Sequence, residues 1–155
     1  MRIAVGADHA GYPLKVDVVR FLEEQGHEVT DLGTHSTDPV DFPEYAKRVG
    51  HAVQHGTADR GVLVCGSGVG ACVAANKLRG IRAALCHDTY TAHQGVEHDD
   101  VNVLCLGGRV VGIALAFDIL RSWLAARYIG TGRHKRRVDQ ILEIELGEAE
   151  RKEAG

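Results

Sequence analysis

Short apolar runs alternate with amphipathic helical patterns along the whole chain. Residues 61–64 form an uninterrupted apolar run, which is typical of a central parallel strand covered by helices on both faces. Four more strand-like runs lie at residues 3–5, 28–32, 81–86 and 103–106. Because helical patterns separate these runs, we predict an α/β fold: a single-domain, Rossmann-like, doubly wound sheet of five parallel strands flanked by helices, with a C-terminal helix.

The helical patterns have recognisable ends. Pro13 stands where a first helical residue belongs, and Gly26 is expected to end that helix. Later helices are predicted at residues 71–77, 89–97 and 133–146. We predict one domain over residues 1–146, followed by a charged tail at 147–155 that is expected to fray.

Composition excludes several classes of protein. The formal charge of the 155-residue chain is −3, so no global field favours a nucleic-acid partner. No apolar run is long enough to span a bilayer, and we expect neither a signal peptide nor a membrane partner. The cysteines form no CxxC pair, which favours free thiols in a reducing cytoplasm over a disulfide framework. They are Cys65, Cys72, Cys86 and Cys105.

Ligands of open parallel α/β sheets bind outside the carboxyl ends of the strands. In this chain that rule selects loops at residues 7–11, 65–70, 86–89 and 107–109. The second of these loops carries three glycines in five residues. Its members are Gly66, Ser67, Gly68, Val69 and Gly70. Backbone N–H groups in such a loop, with the helix N-terminus behind them, form a cradle for an anion; the alternative is a tight turn that needs one or two glycines.

Cys65 stands directly before this loop. A free cysteine at a strand end is most often a small buried apolar residue, and we expect that role for at least one of the other three cysteines. The N–H groups and the helix dipole would lower the pKa of the Cys65 thiol below its usual value of about 8.5. Cys65 is therefore a candidate nucleophile or base, and its spacing alone does not choose between these roles.

Other polar residues have structural alternatives beside their functional ones. Asp8 could cap a helix and His9 could be solvated; His98 could belong to a solvated turn. His51 and His55 are one helical turn apart, which more often marks an exposed helix face than a metal site.

A basic segment at residues 132–138 stands out in this slightly acidic chain. Arg133 and Arg137 would share one helix face, where two guanidinium groups suit a phosphate dianion. A solvated face is the alternative, and the lack of interleaved aromatic residues argues against nucleic acid.

Four motifs together resemble a known family. They are GADHAG, VCGSGVGACVAANKLRGIRAAL, EHDDVNVLCLGGRVVG and GRHKRRV. In this order they resemble the type B ribose-5-phosphate isomerases, whose wider family includes galactose-6-phosphate isomerase, and the resemblance runs from Met1 to about Ile141. It implies an aldose–ketose isomerase that interconverts D-ribose 5-phosphate and D-ribulose 5-phosphate through an enediolate, without cofactor or metal.

The resemblance also implies roles for individual residues. Cys65 would be the base that moves the proton, residues 66–70 would line an anion hole for the enediolate, and His98 would open the sugar ring. Substrate and phosphate would be held by Asp8, His9, Arg109, Arg133 and Arg137. Family members are homodimers or pairs of dimers whose active sites use both subunits, so we expect the same here.

Two positions depart from the family's usual pattern. Asp99 replaces a common asparagine, so it could accept a hydrogen bond from a sugar hydroxyl but not donate one. Phe42 replaces a common tyrosine and lacks the hydroxyl. Because sugar preference could differ, an isomerase of allose 6-phosphate or galactose 6-phosphate is an alternative, and a non-catalytic sugar-phosphate sensor is a second one.

Overall fold

A computed structural model describes the backbone of residues 1–154 and the side chains of all of these except Ala149, Lys152 and Ala154. Five strands and six helices follow one another along the chain. The strands are β1 (Arg2–Ala7), β2 (Glu28–Asp31), β3 (Arg60–Cys65), β4 (Ala83–Leu85) and β5 (Val103–Gly107). The helices are α1 (Tyr12–Glu24), α2 (Phe42–Gln54), α3 (Val69–Ala75), α4 (Thr89–Asp99), α5 (Ile113–Ala125) and α6 (Gly132–Ala154).

All strand pairs are parallel, in the order β2-β1-β3-β5-β4. The predicted five-stranded, doubly wound α/β fold is confirmed. The chain leaves β1 toward β2 on one side and returns to β3 on the other, so the topological switch point lies between β1 and β3. The last two strands do not follow their order in the sequence, because β5 lies between β3 and β4 and leaves β4 at the edge of the sheet.

Alternation along the central strands divides the core into two layers. In β3, Val62 and Val64 pack against the layer that contains α1, α4 and α5. Leu63 and Cys65 point to the opposite layer, which α2 and α3 cover. The period of two therefore fixes the side of the sheet on which the Cys65 thiol lies.

Two element boundaries differ from the prediction at the edge of the sheet. Helix α3 ends at Ala75, before the predicted Lys77, and β4 covers three residues of the predicted six. Asn76, directly after α3, donates from its amide to the Ala83 carbonyl at 2.9 Å and accepts from the Ala83 N–H at 2.8 Å. The Arg82 N–H, just before β4, donates to the Asn102 side chain at 2.8 Å. Side-chain hydrogen bonds thus replace ladder bonds at this edge of the sheet.

Helices α4 and α6 are both longer than predicted. Helix α4 continues to Asp99, so His98 and Asp99 lie in its last turn and not in the solvated turn considered above. Asp100 then ends the helix with a φ of 53°. Helix α6 continues past Leu146, and the expected fraying of residues 147–155 stays a prediction.

A buried lysine connects α1 to the end of β2. The Lys15 side chain is 1% exposed, and its Nζ lies 2.7 Å from both carboxylate oxygens of Asp31 and 2.6 Å from the Thr34 carbonyl. These contacts fix the start of the segment that leads from β2 to α2. Val40 of that segment contacts His9 at the carboxyl end of β1.

We expect Asp31→Asn to lower the free energy of unfolding by about 2 kcal/mol, because it leaves the buried Lys15 ammonium without its counter-ion. The double variant Lys15→Met/Asp31→Asn should be more stable than Asp31→Asn alone. Urea unfolding of both variants measures this coupling. Strictly additive losses from Lys15→Met and Asp31→Asn would contradict it.

Candidate functional site

The Cys65 thiol and the glycine loop lie at the carboxyl end of β3, next to the switch point. Cys65 is the last residue of the strand and is 4% exposed. The Gly68 N–H donates to Cys65 Sγ at 3.1 Å, which fixes the sulfur at the start of α3.

The backbone of the loop leaves several N–H groups available. The Val69 N–H donates to Ser67 Oγ at 3.3 Å. Within the described chain, the N–H groups of Ser67, Gly70 and Ala71 donate to no protein acceptor. Unpaired N–H groups at a helix start are donors for an external oxygen or anion. The loop therefore has the donors that an anion cradle requires.

Backbone conformation or close packing also favours glycine at two of the three glycine positions in the loop. Gly68 has a φ of 81°, and a Cβ there would lie 2.9 Å from the Leu106 carbonyl carbon. A Cβ at Gly70 would lie 2.7 Å from the Phe42 ring. The number of glycines alone therefore does not distinguish an anion cradle from a tight turn; the free N–H groups are the stronger observation.

Loops after β1 and β5 adjoin this cradle. Asp8 is buried and accepts from the Gly11 N–H at 2.9 Å, so it stabilises the turn that leads into α1. It does not cap the helix as the structural alternative predicted, because Gly11 is the N-cap residue. His9 Nδ1 lies 3.2 Å from both the N and the O atom of Val40. Arg109 is exposed, and its backbone N–H donates to the Gly66 carbonyl at 3.0 Å. These residues and the 65–70 loop form one group, called here the thiol cluster.

The remaining predicted site residues form a second group. His98 and Asp99 end α4, and Arg133 and Arg137 are exposed on the first turns of α6. The ring centroids of His98 and His134 are 4.2 Å apart, so the two rings pack against each other between α4 and α6. These four predicted residues and His134 are called here the histidine cluster.

Connectivity separates the two clusters within one chain. Helix α4 starts after the carboxyl end of β4 and runs back to the amino end of β5, so His98 lies toward the opposite edge of the sheet from Cys65. At 1.5 Å per residue, the helix spans about 15 Å. Among the described residues, no hydrogen bond or ion pair joins the clusters. One chain alone does not bring all predicted site residues together.

His134 lies against the candidate residue His98, and the sequence interpretation did not single it out. It is buried, and its Nδ1 has no hydrogen-bond partner among the described residues. Burial lowers the pKa of His134, and the neighbouring His98, Arg133 and Arg137 lower it further. The sequence signal was the spacing of His134 and Val138, which are four residues apart and share the buried face of α6.

Two cavities lie beside the end of α4. His98 lines one of about 470 Å³, and Asp99 lines a separate one of about 690 Å³. The first cavity is lined by Thr89, Tyr90, His93, Gln94, Glu97, His98 and Ser122. His98 and Asp99 are thus neighbours in sequence that face different spaces within one chain.

The other cysteines behave differently from Cys65. Cys86 and Cys105 are buried in the core, as expected for small apolar residues, and burial raises the pKa of the Cys86 thiol. A hydrogen bond with Cys105 lowers the pKa of the half-buried Cys72 to about 7. His51 and His55 have ring centroids 5.6 Å apart on α2. In the described part of the chain, no cluster of three or more His, Cys, Asp or Glu side chains could hold a metal ion.

The fold and these two clusters define a parallel α/β domain with a thiol and a loop of unpaired N–H groups at its switch point. The sequence pattern of the Ribose/Galactose Isomerase family matches residues 3–141. The chain is 49% identical over 144 residues to ribose-5-phosphate isomerase B of Escherichia coli K12, covering 93% of this chain and 96% of that protein. The chain belongs to the ribose/galactose isomerase family.

Solved structures agree with this assignment. Ribose-5-phosphate isomerase B of Clostridium thermocellum superposes with a TM-score of 0.93 at 48% identity, covering 95% of this chain and 99% of that one. The Mycoplasma genitalium enzyme, solved with bound ribulose-5-phosphate, has a TM-score of 0.88 at 37% identity, covering 94% and 96%. Among residues 1–154, no helix is both long and apolar enough to cross a membrane.

We expect Gly68→Ala to be more destabilising than Gly26→Ala. Both glycines have a φ near 80°, but a Cβ at Gly26 meets no atom within 4 Å, whereas one at Gly68 meets the Leu106 backbone. The backbone conformation should cost about 1–2 kcal/mol in each variant, and the contact adds to this at Gly68. Urea unfolding compares the free energies of unfolding of the two variants. Equal losses would contradict the expected cost of the contact at Gly68.

Proposed function

We propose that the protein interconverts D-ribose 5-phosphate and D-ribulose 5-phosphate through an enediolate. The observation that carries this proposal is the Cys65 thiol beside a loop with unpaired N–H groups, in a chain that belongs to an isomerase family. Moving a proton between adjacent carbons needs a base within reach and donors at the oxygen where charge develops. The thiol cluster offers both.

In this mechanism Cys65 Sγ removes the proton from carbon 2 of the open-chain aldose and returns it to carbon 1, while the hydroxyl proton of oxygen 2 passes to oxygen 1, so that the carbonyl moves from carbon 1 to carbon 2. The negative charge that develops on the oxygens is stabilised by the N–H groups of Ser67, Gly70 and Ala71. These donors are fixed by the turn and by the start of α3, so they need no rearrangement as charge develops. Loss of one comparable donor costs about 3 kcal/mol of transition-state stabilisation in other enzymes.

The histidine cluster would act on the other parts of the substrate. His98 exchanges protons with the furanose ring so that the aldehyde is released. Arg133 and Arg137, exposed and one helical turn apart, bind the phosphate, and Arg109 and His9 contact the substrate from the thiol cluster. Asp8 contributes by holding the turn before α1, and Asp99 accepts a hydrogen bond from a sugar hydroxyl.

We propose that each active site combines the thiol cluster of one subunit with the histidine cluster of another. Two observations support this arrangement. The clusters lie toward opposite edges of the sheet, and apolar side chains around the thiol cluster are exposed: Val69 by 50%, Val73 by 56% and Val110 by 58%. A homodimer, or a pair of dimers, would cover these side chains. Sizing at assay concentration tests this point, and a fully active monomer would contradict it.

Free thiols favour a reducing cytoplasm as the working compartment. The substrate is a small sugar phosphate, and no cofactor, metal, nucleic acid or membrane enters the proposed reaction. The family's name includes galactose isomerases. In addition, the Phe42 ring lies against Gly70 of the loop and lacks the hydroxyl of the tyrosine that is common at this position in the family. A preference for allose 6-phosphate or galactose 6-phosphate is therefore the second candidate function.

We expect Cys65→Ala to abolish turnover of ribose 5-phosphate, because the base is removed, and to leave binding of the sugar phosphate largely intact. Turnover is measured by following ribulose 5-phosphate formation, and binding by calorimetry. Cys72→Ala, a half-buried cysteine seven residues further on, is the matched control and should retain turnover. Near-wild-type activity in Cys65→Ala would overturn the assignment of the base.

A substrate panel in heavy water tests the reaction and its specificity together. With ribose 5-phosphate, we expect deuterium at carbon 2 and faster turnover than with allose or galactose 6-phosphate. Faster turnover of a hexose phosphate would favour the second candidate function. Neither product nor deuterium incorporation with any sugar would favour a non-catalytic sensor.

A further inference from the structure

The side chain of Gln94 contacts the proposed ring-opening histidine directly. Gln94 and His98 are one turn apart on α4, and Gln94 Nε2 lies 2.8 Å from His98 Nδ1. An amide nitrogen can only donate, so Nδ1 accepts this hydrogen bond and carries no proton in the neutral ring. The proton of neutral His98 is therefore on Nε2, and Nε2 is the nitrogen left for a substrate.

The other neighbours of His98 hold the ring without occupying Nδ1. The His134 ring is tilted by 35° against it, with the centroids 4.2 Å apart. Glu97 Oε2 lies 4.0 Å from His98 Nε2, and Arg133 and Arg137 add positive charge beside His134. Helix α5 contributes only the uncharged Ser122 to the cavity lined by His98. Gln94 is the neighbour that the structure shows hydrogen-bonded to the ring.

Ring opening makes a particular demand on the acid–base group. One proton must reach the ring oxygen while another leaves the anomeric hydroxyl, so the histidine must alternate between protonation states without turning away. A glutamine amide suits this demand because it has both a donor and an acceptor. Its nitrogen donates to Nδ1 of the neutral ring. When the ring is protonated, the amide group can rotate so that its oxygen accepts from Nδ1–H.

We propose that Gln94 is a positioning residue for His98: it holds the imidazole at Nδ1 in both protonation states and reserves Nε2 for proton exchange with the sugar ring. The proposal rests on the proposed isomerase function. The half-buried position of Gln94, beside His98 in the same cavity, keeps its amide near the ring. Gln94 would act only through His98 and would not touch the reacting carbons.

Spectroscopy of the His98 ring tests the contact independently of activity. Protein labelled with ¹⁵N-histidine is titrated by two-bond ¹H–¹⁵N correlation, and the His98 signals are those absent from the His98→Asn variant. In the wild type, the neutral ring should carry its proton on Nε2. In Gln94→Glu the carboxylate only accepts, so the neutral ring should carry it on Nδ1, and the midpoint should rise by about one pH unit. Gln25→Leu, which changes an exposed glutamine at the end of α1, is the control and should leave the His98 signals unchanged.

Kinetics then separate positioning from a general structural role. In Gln94→Leu, isomerisation of ribose 5-phosphate should slow about tenfold, because the acid–base group is no longer held. The rate at which the carbon 1 hydrogen of ribulose 5-phosphate exchanges with heavy water should stay within about twofold of the wild-type rate. This ketose cannot close to a furanose, because its C5 oxygen carries the phosphate, so its reaction needs no ring opening. Gln25→Leu should change neither rate.

Each outcome decides one proposal. A wild-type His98 whose neutral ring carries its proton on Nδ1, or a Gln94→Glu variant with an unchanged titration, would overturn the proposed contact. Equal slowing of isomerisation and exchange in Gln94→Leu would overturn the positioning role and indicate a structural one. A wild type that catalyses neither reaction would overturn the isomerase function, while the His98 spectra would still decide whether Gln94 holds the ring.

Discussion

The direction of the crossover helices governs the rest of this structure. In a parallel sheet, each helix that joins two strands must run from the carboxyl edge back to the amino edge. Cys65 ends β3 at one edge, whereas His98 ends α4 toward the other. Two sets of chemically capable side chains are therefore held apart within each chain by its topology. In the proposed shared site, a second copy of the chain would supply what one copy lacks.

At the carboxyl edge, one short loop combines several physical requirements. Its backbone turns sharply at Gly68, packs closely on the Phe42 ring at Gly70, donates to the Cys65 sulfur and leaves three N–H groups unpaired. The strand order places this loop beside Asp8 and His9 after β1 and Arg109 after β5. In the proposed site, the base, the oxyanion donors and part of the substrate contacts come from three adjacent strand ends, and α6 of another chain would supply the arginines that bind the phosphate.

Much of the fold was predictable from apolar periodicity. The five strands, their parallel arrangement and the carboxyl-edge loops followed from the alternation of elements, since each pattern is a local property of the chain. The exchange of β4 and β5 was not predictable, because periodicity does not say which strands become neighbours. The ends of α3 and β4 carry hydrogen bonds from the Asn76 and Asn102 side chains, whose partners only the folded chain brings together.

The candidate site was predictable in part. Cys65, the glycine loop and the arginines stood out by type and spacing, and their roles came from the family resemblance. His134 and Gln94 did not stand out, because their importance lies in contacts with His98 that involve helix packing and the length of α4. Helix α4 itself ran two residues further than predicted, which moved His98 from a turn into a helix.

The central claim is that one active site uses Cys65 of one subunit and His98 of another. Mixing Cys65→Ala subunits with His98→Asn subunits, after unfolding and refolding them together, tests it most directly. A mixed dimer would contain one site with both residues intact, so random pairing should restore about a quarter of the wild-type activity on ribose 5-phosphate from two strongly impaired variants. If the mixture is no more active than the two variants measured separately, the shared site is contradicted.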